Sequence, residues 1–163
     1  MEPDADDPMD LQEPPSLRLS EFLPYRLSVL SNTVSSGIAD AYGARFGLTI
    51  WQWRCMAVIG ETPGLAARDV AARTAMDKVA VSRAVGGLEA LGHVRRSIDP
   101  NDRRASHLEL SASGRRVYDE IVPLALAYEK RLLEVFSDAE RDQLVALLGK
   151  LAETATDGKD TLW

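Results

Sequence analysis

Apolar residues recur at helical spacing from about residue 20 to 46: Phe22, Leu23, Leu27, Leu30, Val34, Ile38, Ala41 and Tyr42. The pattern predicts one long helix. It should bend near Pro24, since proline inside a helix removes a backbone hydrogen bond, and Gly47 suits its C-cap. Thr49-Ile50-Trp51-Gln52 is a capping-box pattern that opens a second helix through about Gly60. Pro63-Gly64 reads as a turn. A short helix is predicted over 65–73, with Leu65, Val70 and Ala71 inward. Thr74-Ala75-Met76 joins it to a helix over 77–91, with Asp77 as N-cap and Gly92 as terminator. The period then changes. Val94, Arg96 and Ile98 alternate with Arg95 and Ser97, and His107-Leu108-Glu109-Leu110 alternates again. Asp99-Pro100-Asn101-Asp102 between them is turn chemistry, so the segment predicts a β-hairpin. Ser111 can cap a long helix to about residue 135, kinked at Pro123. Ser137-Asp138-Ala139-Glu140 is a second capping box, opening a last helix to about residue 154.

The predicted fold is therefore mainly α with a small β-hairpin. Two short helices joined by a three-residue turn and followed by a hairpin describe a winged helix-turn-helix, here over about 49–111. The second helix of that pair should divide into two faces. Val81, Ala84, Val85, Leu88 and Leu91 share the inner one. Lys78, Val79, Ser82, Arg83 and Gly86 share the outer one. Lys78 and Arg83 can reach base edges or phosphates, and the arginine fork suits guanine. Ser82 can donate to a phosphate. The start of this helix would also aim its dipole and free N–H groups at whatever it approaches. Taken alone, the face also fits ordinary solvated surface. Gly86-Gly87 inside a helix costs roughly 1 kcal/mol per glycine relative to alanine, which points to packing or to close backbone approach. At the wing tip, residues 100–104, an exposed arginine can enter a minor groove. Asp102 can hold and aim Arg104 there by a charge-assisted bond, with Arg103 beside it.

The net charge of −6 over 163 residues argues at first against nucleic acid. Its distribution reverses that inference. Residues 1–15 carry six acids, four prolines and no basic residue, as in a disordered or loosely docked tail, drawn at 1–19. Between Arg68 and Arg116 stand ten basic and six acidic residues, a net +4 that leaves −10 for the rest. A basic middle on an acidic body can hold DNA on one face and repel it elsewhere. Residues 20–163 are otherwise expected as one unit. No run of eighteen apolar residues exists to span a membrane, and the acidic N-terminus is unlike a secretory signal. The single cysteine, Cys55, excludes an internal disulfide, and no Cys/His cluster has metal spacing. No metal or cofactor is implied, and a cytoplasmic protein is the simplest reading. Chemistry is equally unsupported. His93 and His107 flank the hairpin without a linked nucleophile, and there is no Gly-rich phosphate loop or nucleophile elbow. A winged-helix module for protein contacts remains the alternative to a DNA binder. It would bind without steep salt dependence and without preference for a palindrome.

The segment Met76-Asp77-Lys78-Val79-Ala80-Val81-Ser82-Arg83-Ala84-Val85, then Leu88-Glu89-Ala90-Leu91-Gly92, Arg96 and Asp99-Pro100-Asn101-Asp102-Arg103-Arg104, resembles the multiple antibiotic resistance regulator (MarR) family. So do Leu108-Glu109-Leu110-Ser111 and Gly114, and upstream Phe22-Leu23-Pro24-Tyr25-Arg26-Leu27 and Trp53-Arg54 resemble one branch of it. The likeness covers roughly residues 20–155. The family's wing motif falls on Asp102, Arg104, Leu108, Leu110 and Ser111, with serine standing for threonine at the last. The resemblance implies a homodimer, usually a repressor, released by a small ligand. It implies DNA contacts from Lys78, Val79, Ser82, Arg83, Arg96, Asp102, Arg103 and Arg104. It places the helices over about 20–46 and 112–155 at a two-fold interface, which requires a roughly palindromic duplex with recognition helices ~34 Å apart. A monomeric helical subdomain would carry the same apolar residues. The resemblance puts an effector pocket near Tyr25, Arg26, Trp51, Trp53, Arg54 and Met56. Aromatic walls with an arginine suit an aromatic or phenolic acid or its coenzyme A thioester, although each of these residues also fits a core or ion-pair role. Some relatives sense peroxide through cysteine. Cys55, in an apolar helix beside Met56, reads as a buried structural thiol instead.

Overall fold

In the computed structural model, which describes residues 16–98 and 106–157, the first helix, α1, spans Leu23–Phe46. It starts three residues later than the apolar period suggests. Pro24 therefore sits in the first turn, where its missing N–H has no helical acceptor to lose, and no bend is needed there. Ahead of it, the N–H groups of Glu21 and Phe22 donate to the carbonyl of Arg18 in a tight turn. Contacts divide the chain inside α1 into two compact units, Met1–Ser35 and Ser36–Trp163.

In the second unit, α2 (Ile50–Glu61) opens with the expected capping box. The Thr49 hydroxyl accepts from the Gln52 N–H at 3.2 Å, and the Gln52 side chain accepts from the Thr49 N–H at 2.9 Å. Gly64 adopts φ +85°, the left-handed region that a Pro-Gly turn demands. The next segment departs from expectation. Leu65–Ala66 is a short strand, β1, and the helix α3 begins only at Ala67–Thr74. Strand β1 pairs antiparallel with β3 (Ser106–Leu110), Leu65 opposite Leu108, and β3 pairs antiparallel with β2 (Val94–Ile98). The hairpin is thus the larger part of a three-stranded sheet ordered β1-β3-β2. The pairing of two residues with a strand some forty positions away leaves no local period, so the apolar pattern folded them into the helix.

Helix α4 (Lys78–Ala90) follows the turn and packs on α2 and α3. Val81, Ala84, Val85 and Leu88 are buried as the period requires. Leu91 is not; it lies just past the last helical turn, 48% exposed, where the rotation of the helix no longer applies. Cys55, Met56 and Ile59 of α2, Val70 of α3, Val94 and Leu108 of the sheet and Tyr42 of α1 complete the same core. Helix α5 (Ala112–Leu133) starts on a Ser111 cap, whose hydroxyl accepts from the Gly114 N–H and donates to the Gly92 carbonyl. A Cβ on Gly114 would lie 1.9 Å from the His93 carbonyl oxygen, so only glycine allows α5 to start against the end of α4. Helix α5 continues through Pro123 and ends at Leu133, short of the expected 135. Helix α6 (Asp138–Asp157) opens on the second capping box, with the Ser137 N–H and hydroxyl both donating to Glu140 at 2.8 Å. Those bonds hold the Glu140 carboxyl below its ordinary pKa, the backbone N–H of Ser137 contributing most. Among the described residues no helix is long and apolar enough to cross a membrane.

Candidate nucleic-acid interface

The site is built on α4. Ala75, at φ 52°, makes the left-handed turn that lets α3 end and α4 set off across it. Thr74 closes α3 by donating its hydroxyl to the Val70 carbonyl at 2.7 Å. Asp77 then caps α4, its carboxylate accepting from the N–H groups of Val79 and Ala80, both at 2.8 Å. This corrects one expectation. The first N–H groups of the helix are occupied by a carboxylate, so they are not offered to a phosphate.

Lys78, Val79, Ser82, Arg83 and Gly86 all lie exposed on one face of α4. The burial of Val81, Ala84, Val85 and Leu88 on the opposite face fixes which way they point. The two glycines have separate reasons. A Cβ at Gly87 would come 2.4 Å from the Gln52 amide nitrogen, so Gly87 allows α2 and α4 to cross closely. A Cβ at Gly86 would meet nothing within 4 Å. Its missing side chain clears the outer face one turn beyond Ser82 and leaves room for an approaching backbone.

The fold also sorts the basic residues. Arg95 pairs with Glu109 across β2 and β3 at 2.8 Å, and Arg68 sits 3.6 Å from Asp69. Arg73 donates to Thr62 at 2.8 Å, and Arg115 reaches Asp119 and the Gly60 carbonyl. Arg96, expected at the DNA, is engaged with Glu89 at 3.1 Å and with the Ser106 hydroxyl at 3.2 Å. That arrangement ties the sheet to α4. Among the described residues, Lys78 and Arg83 have no such partner, and both stand on the outer face of α4. The sequence showed a net positive island; the ion pairs engage several of its cations and leave Lys78 and Arg83 available on this helix. Asp102, Arg103 and Arg104 of the expected wing tip lie outside the described residues.

The expected effector residues are divided between the two units. Tyr25 and Arg26 belong to the first unit, where with Leu23, Leu27, Val29, Leu30 and Thr33 they line an open concavity of about 540 Å³. The other four lie on α2 and diverge around it. Met56 is fully buried in the core. Trp53 sits between Tyr42 and Tyr118, with ring centroids 5.7 and 6.0 Å away. Trp51 is 51% exposed, and the Arg54 guanidinium lies 5.3 Å from its ring centre. The sequence reading passed over Tyr42, which it counted only as an apolar helix position. Tyr42 is fully buried, and among the described residues its hydroxyl has no hydrogen-bond partner. Burial pushes its pKa up, with the nearby Arg54 charge opposing. Cys55 is buried in the same core. Desolvation raises its thiol to about 11, again against the Arg54 charge, so the reactive thiolate is scarce at neutral pH.

Residues 46–105 match a model of the MarR family. The HTH-type transcriptional regulator BilQ of Clostridium symbiosum is 29% identical over 96 residues, spanning 59% of this chain and 67% of that protein. A MarR/EmrR family transcriptional regulator from Acinetobacter sp. ADP1 superposes with a TM-score of 0.80 at 28% identity, covering 86% of this chain and 99% of the other. Bordetella bronchiseptica BpsR, whose structure concerns regulation of its DNA binding by 6-hydroxynicotinic acid, superposes with a TM-score of 0.74 at 25% identity. That likeness covers 85% of this chain and 98% of BpsR.

Proposed function

This chain is a MarR-family transcriptional regulator, a DNA-binding protein and not an enzyme, and from that premise we propose that it is a ligand-responsive repressor binding a pseudo-palindromic duplex as a homodimer. The observation that carries the DNA reading is the outer face of α4. Its two unpaired cations, Lys78 and Arg83, flank Ser82 and precede the open Gly86. A cation already paired inside the protein must give up its partner to bind a phosphate; these two need not. Arg83 reads a base or grips a phosphate from mid-helix, and the wing arginines Arg103 and Arg104, with Asp102, reach the adjacent groove.

The homodimer is supported by what α6 leaves uncovered. Val145, Leu147, Leu148 and Leu151 are exposed along it, and Leu126 and Leu132 along α5. An apolar stripe repeated on consecutive turns is matched by a second copy through a two-fold axis. For the effector we propose an aromatic acid. The support is Trp53 packed between two tyrosines, the unpartnered Tyr42 hydroxyl and the Arg54 charge near that hydroxyl. BpsR responds to an aromatic acid, which agrees in chemical class. Such a regulator works where the DNA is, in the cytoplasm.

Fluorescence anisotropy on a duplex from the region upstream of its own gene, across salt, tests the DNA reading. Arg83→Ala should cost ~1–3 kcal/mol of binding. A loss confined to the upstream duplex makes Arg83 a base contact, and an equal loss on unrelated duplexes makes it a phosphate contact. Arg104→Ala should weaken binding as well; unchanged affinity removes the wing from the mechanism. Binding that ignores salt would favour the protein-contact alternative.

A further inference from the structure

A second surface adjoins the outer face of α4. A concavity of about 300 Å³ opens between the first turn of α2 and the middle of α4, lined by Thr49, Trp51, Gln52, Ala80, Arg83 and Ala84. Arg83 belongs both to this hollow and to the recognition face. The walls are held in register. Gln52 accepts from the Thr49 N–H through its carbonyl oxygen, which leaves its amide nitrogen toward the place where a Gly87 side chain would stand. A side chain at position 87 would meet the Gln52 amide first and displace it from this wall. Trp51 is braced too, with the Arg54 guanidinium against its ring.

An indole half exposed on a hollow that it shares with Arg83 is a poor choice for plain solvent, since it leaves apolar area in water. It is a good plate for a sugar–phosphate backbone. Deoxyribose offers an apolar edge to the ring. The indole N–H is a donor with no acceptor capacity, so it suits a phosphate oxygen and nothing that only donates. Arg54, against the ring, and Arg83, in the same hollow, add positive charge near it. We propose that Trp51 is a DNA-contacting residue. The hollow between α2 and α4 receives the strand that borders the groove entered by α4, and Trp51 and Arg83 grip that strand together. This rests on the reading of α4 as the recognition helix. It also moves Trp51 from the effector site, where the sequence placed it, to the duplex.

The test uses full-length protein, the labelled upstream duplex and an unrelated duplex of equal length, from about 50 to about 200 mM salt. Wild type, Trp51→Phe, Trp51→Ala and Arg83→Ala are compared, with thermal melting as a check on folding. Trp51→Ala should weaken binding about tenfold on both duplexes, the scale of one lost hydrogen bond to a charged group. The slope of affinity against salt should stay at the wild-type value, because a neutral side chain releases no counterion; Arg83→Ala should flatten it. Trp51→Phe keeps the plate and loses the donor, so its affinity should fall in between. Intrinsic fluorescence should change on adding DNA to wild type and not on adding it to Trp51→Phe. If Trp51→Ala binds as wild type while Arg83→Ala is weakened, the inference fails and the recognition helix stands. If wild type binds neither duplex, both fail. If benzoate alone shifts Trp51 fluorescence and Trp51→Ala leaves DNA affinity intact, the hollow is a small-molecule site and the inference is overturned.

Discussion

Helices α4 and α6 carry the same kind of pattern and meet opposite fates. Each is amphipathic, each begins on a side-chain cap, and each repeats apolar residues every three or four positions. In α4 the apolar face is buried by α2, α3 and the sheet, with Leu88 wholly inaccessible. In α6 no described side chain is buried, and Val145 is 70% exposed. The difference teaches where each helix finds its partner. The reading head completes its core within one chain. The last helix offers a face that one chain does not cover, and a second copy is the proposed cover. The outer face of α4 is exposed for another reason: it is polar, cationic and needs no apolar cover.

The comparison breaks most visibly at Leu88. Leu88→Ala should cost about 2–5 kcal/mol, as core leucine truncations do, and lower the melting temperature at every protein concentration. A loss below 1 kcal/mol would mean the head is not packed as described. The next effect should come from α6. Leu147→Asp with Leu151→Asp should cost the association about 2 kcal/mol or more while leaving the monomer folded by circular dichroism. Sedimentation velocity checks it. A wild type already monomeric at micromolar concentration, or a variant that keeps the wild-type mass, removes the proposed second copy.

Cys55 sharpens the contrast from inside the head. Its folded pKa, about 11, lies above the ordinary 9.0. A raised pKa means that its share of stability is whole below about pH 9 and lost as pH rises toward 11. Cys55→Ala should therefore flatten the fall in melting temperature over that alkaline window. Peroxide should leave DNA binding of the wild type unchanged. Release by peroxide that the variant abolishes would reverse the structural reading of this thiol. The smallest effect is expected at Ala75, a non-glycine residue in the left-handed region. Ala75→Gly should gain less than about 1 kcal/mol, since relief of the Cβ clash is partly offset by glycine's greater freedom when unfolded. A loss would show that the turn between α3 and α4 is held by more than its own backbone.

Much of the head was legible from local chemistry. Thr49, Asp77, Ser111 and Ser137 cap the helices they were expected to cap, because a cap is a contact within three residues of its own helix. Gly47 and Gly92 close helices at positive φ for the same local reason. The errors fall where a distant segment decides. Leu65-Ala66 became a strand because Leu108 and His107 pair with it. The pairing of Arg96 with Glu89, seven residues away on another element, was equally invisible to local spacing.

The sequence by itself determined the order of helices and hairpin, their caps, and the two faces of the recognition helix. All of these follow from spacing and from hydrogen bonds that a few neighbouring residues make. Only the tertiary structure decided which cations remain available, which glycine serves packing and which clears a surface, and that Tyr42 carries a buried hydroxyl without a partner. Those properties depend on distances between segments far apart in the chain. Periodicity tells which side of a helix faces inward; it does not tell what is waiting there.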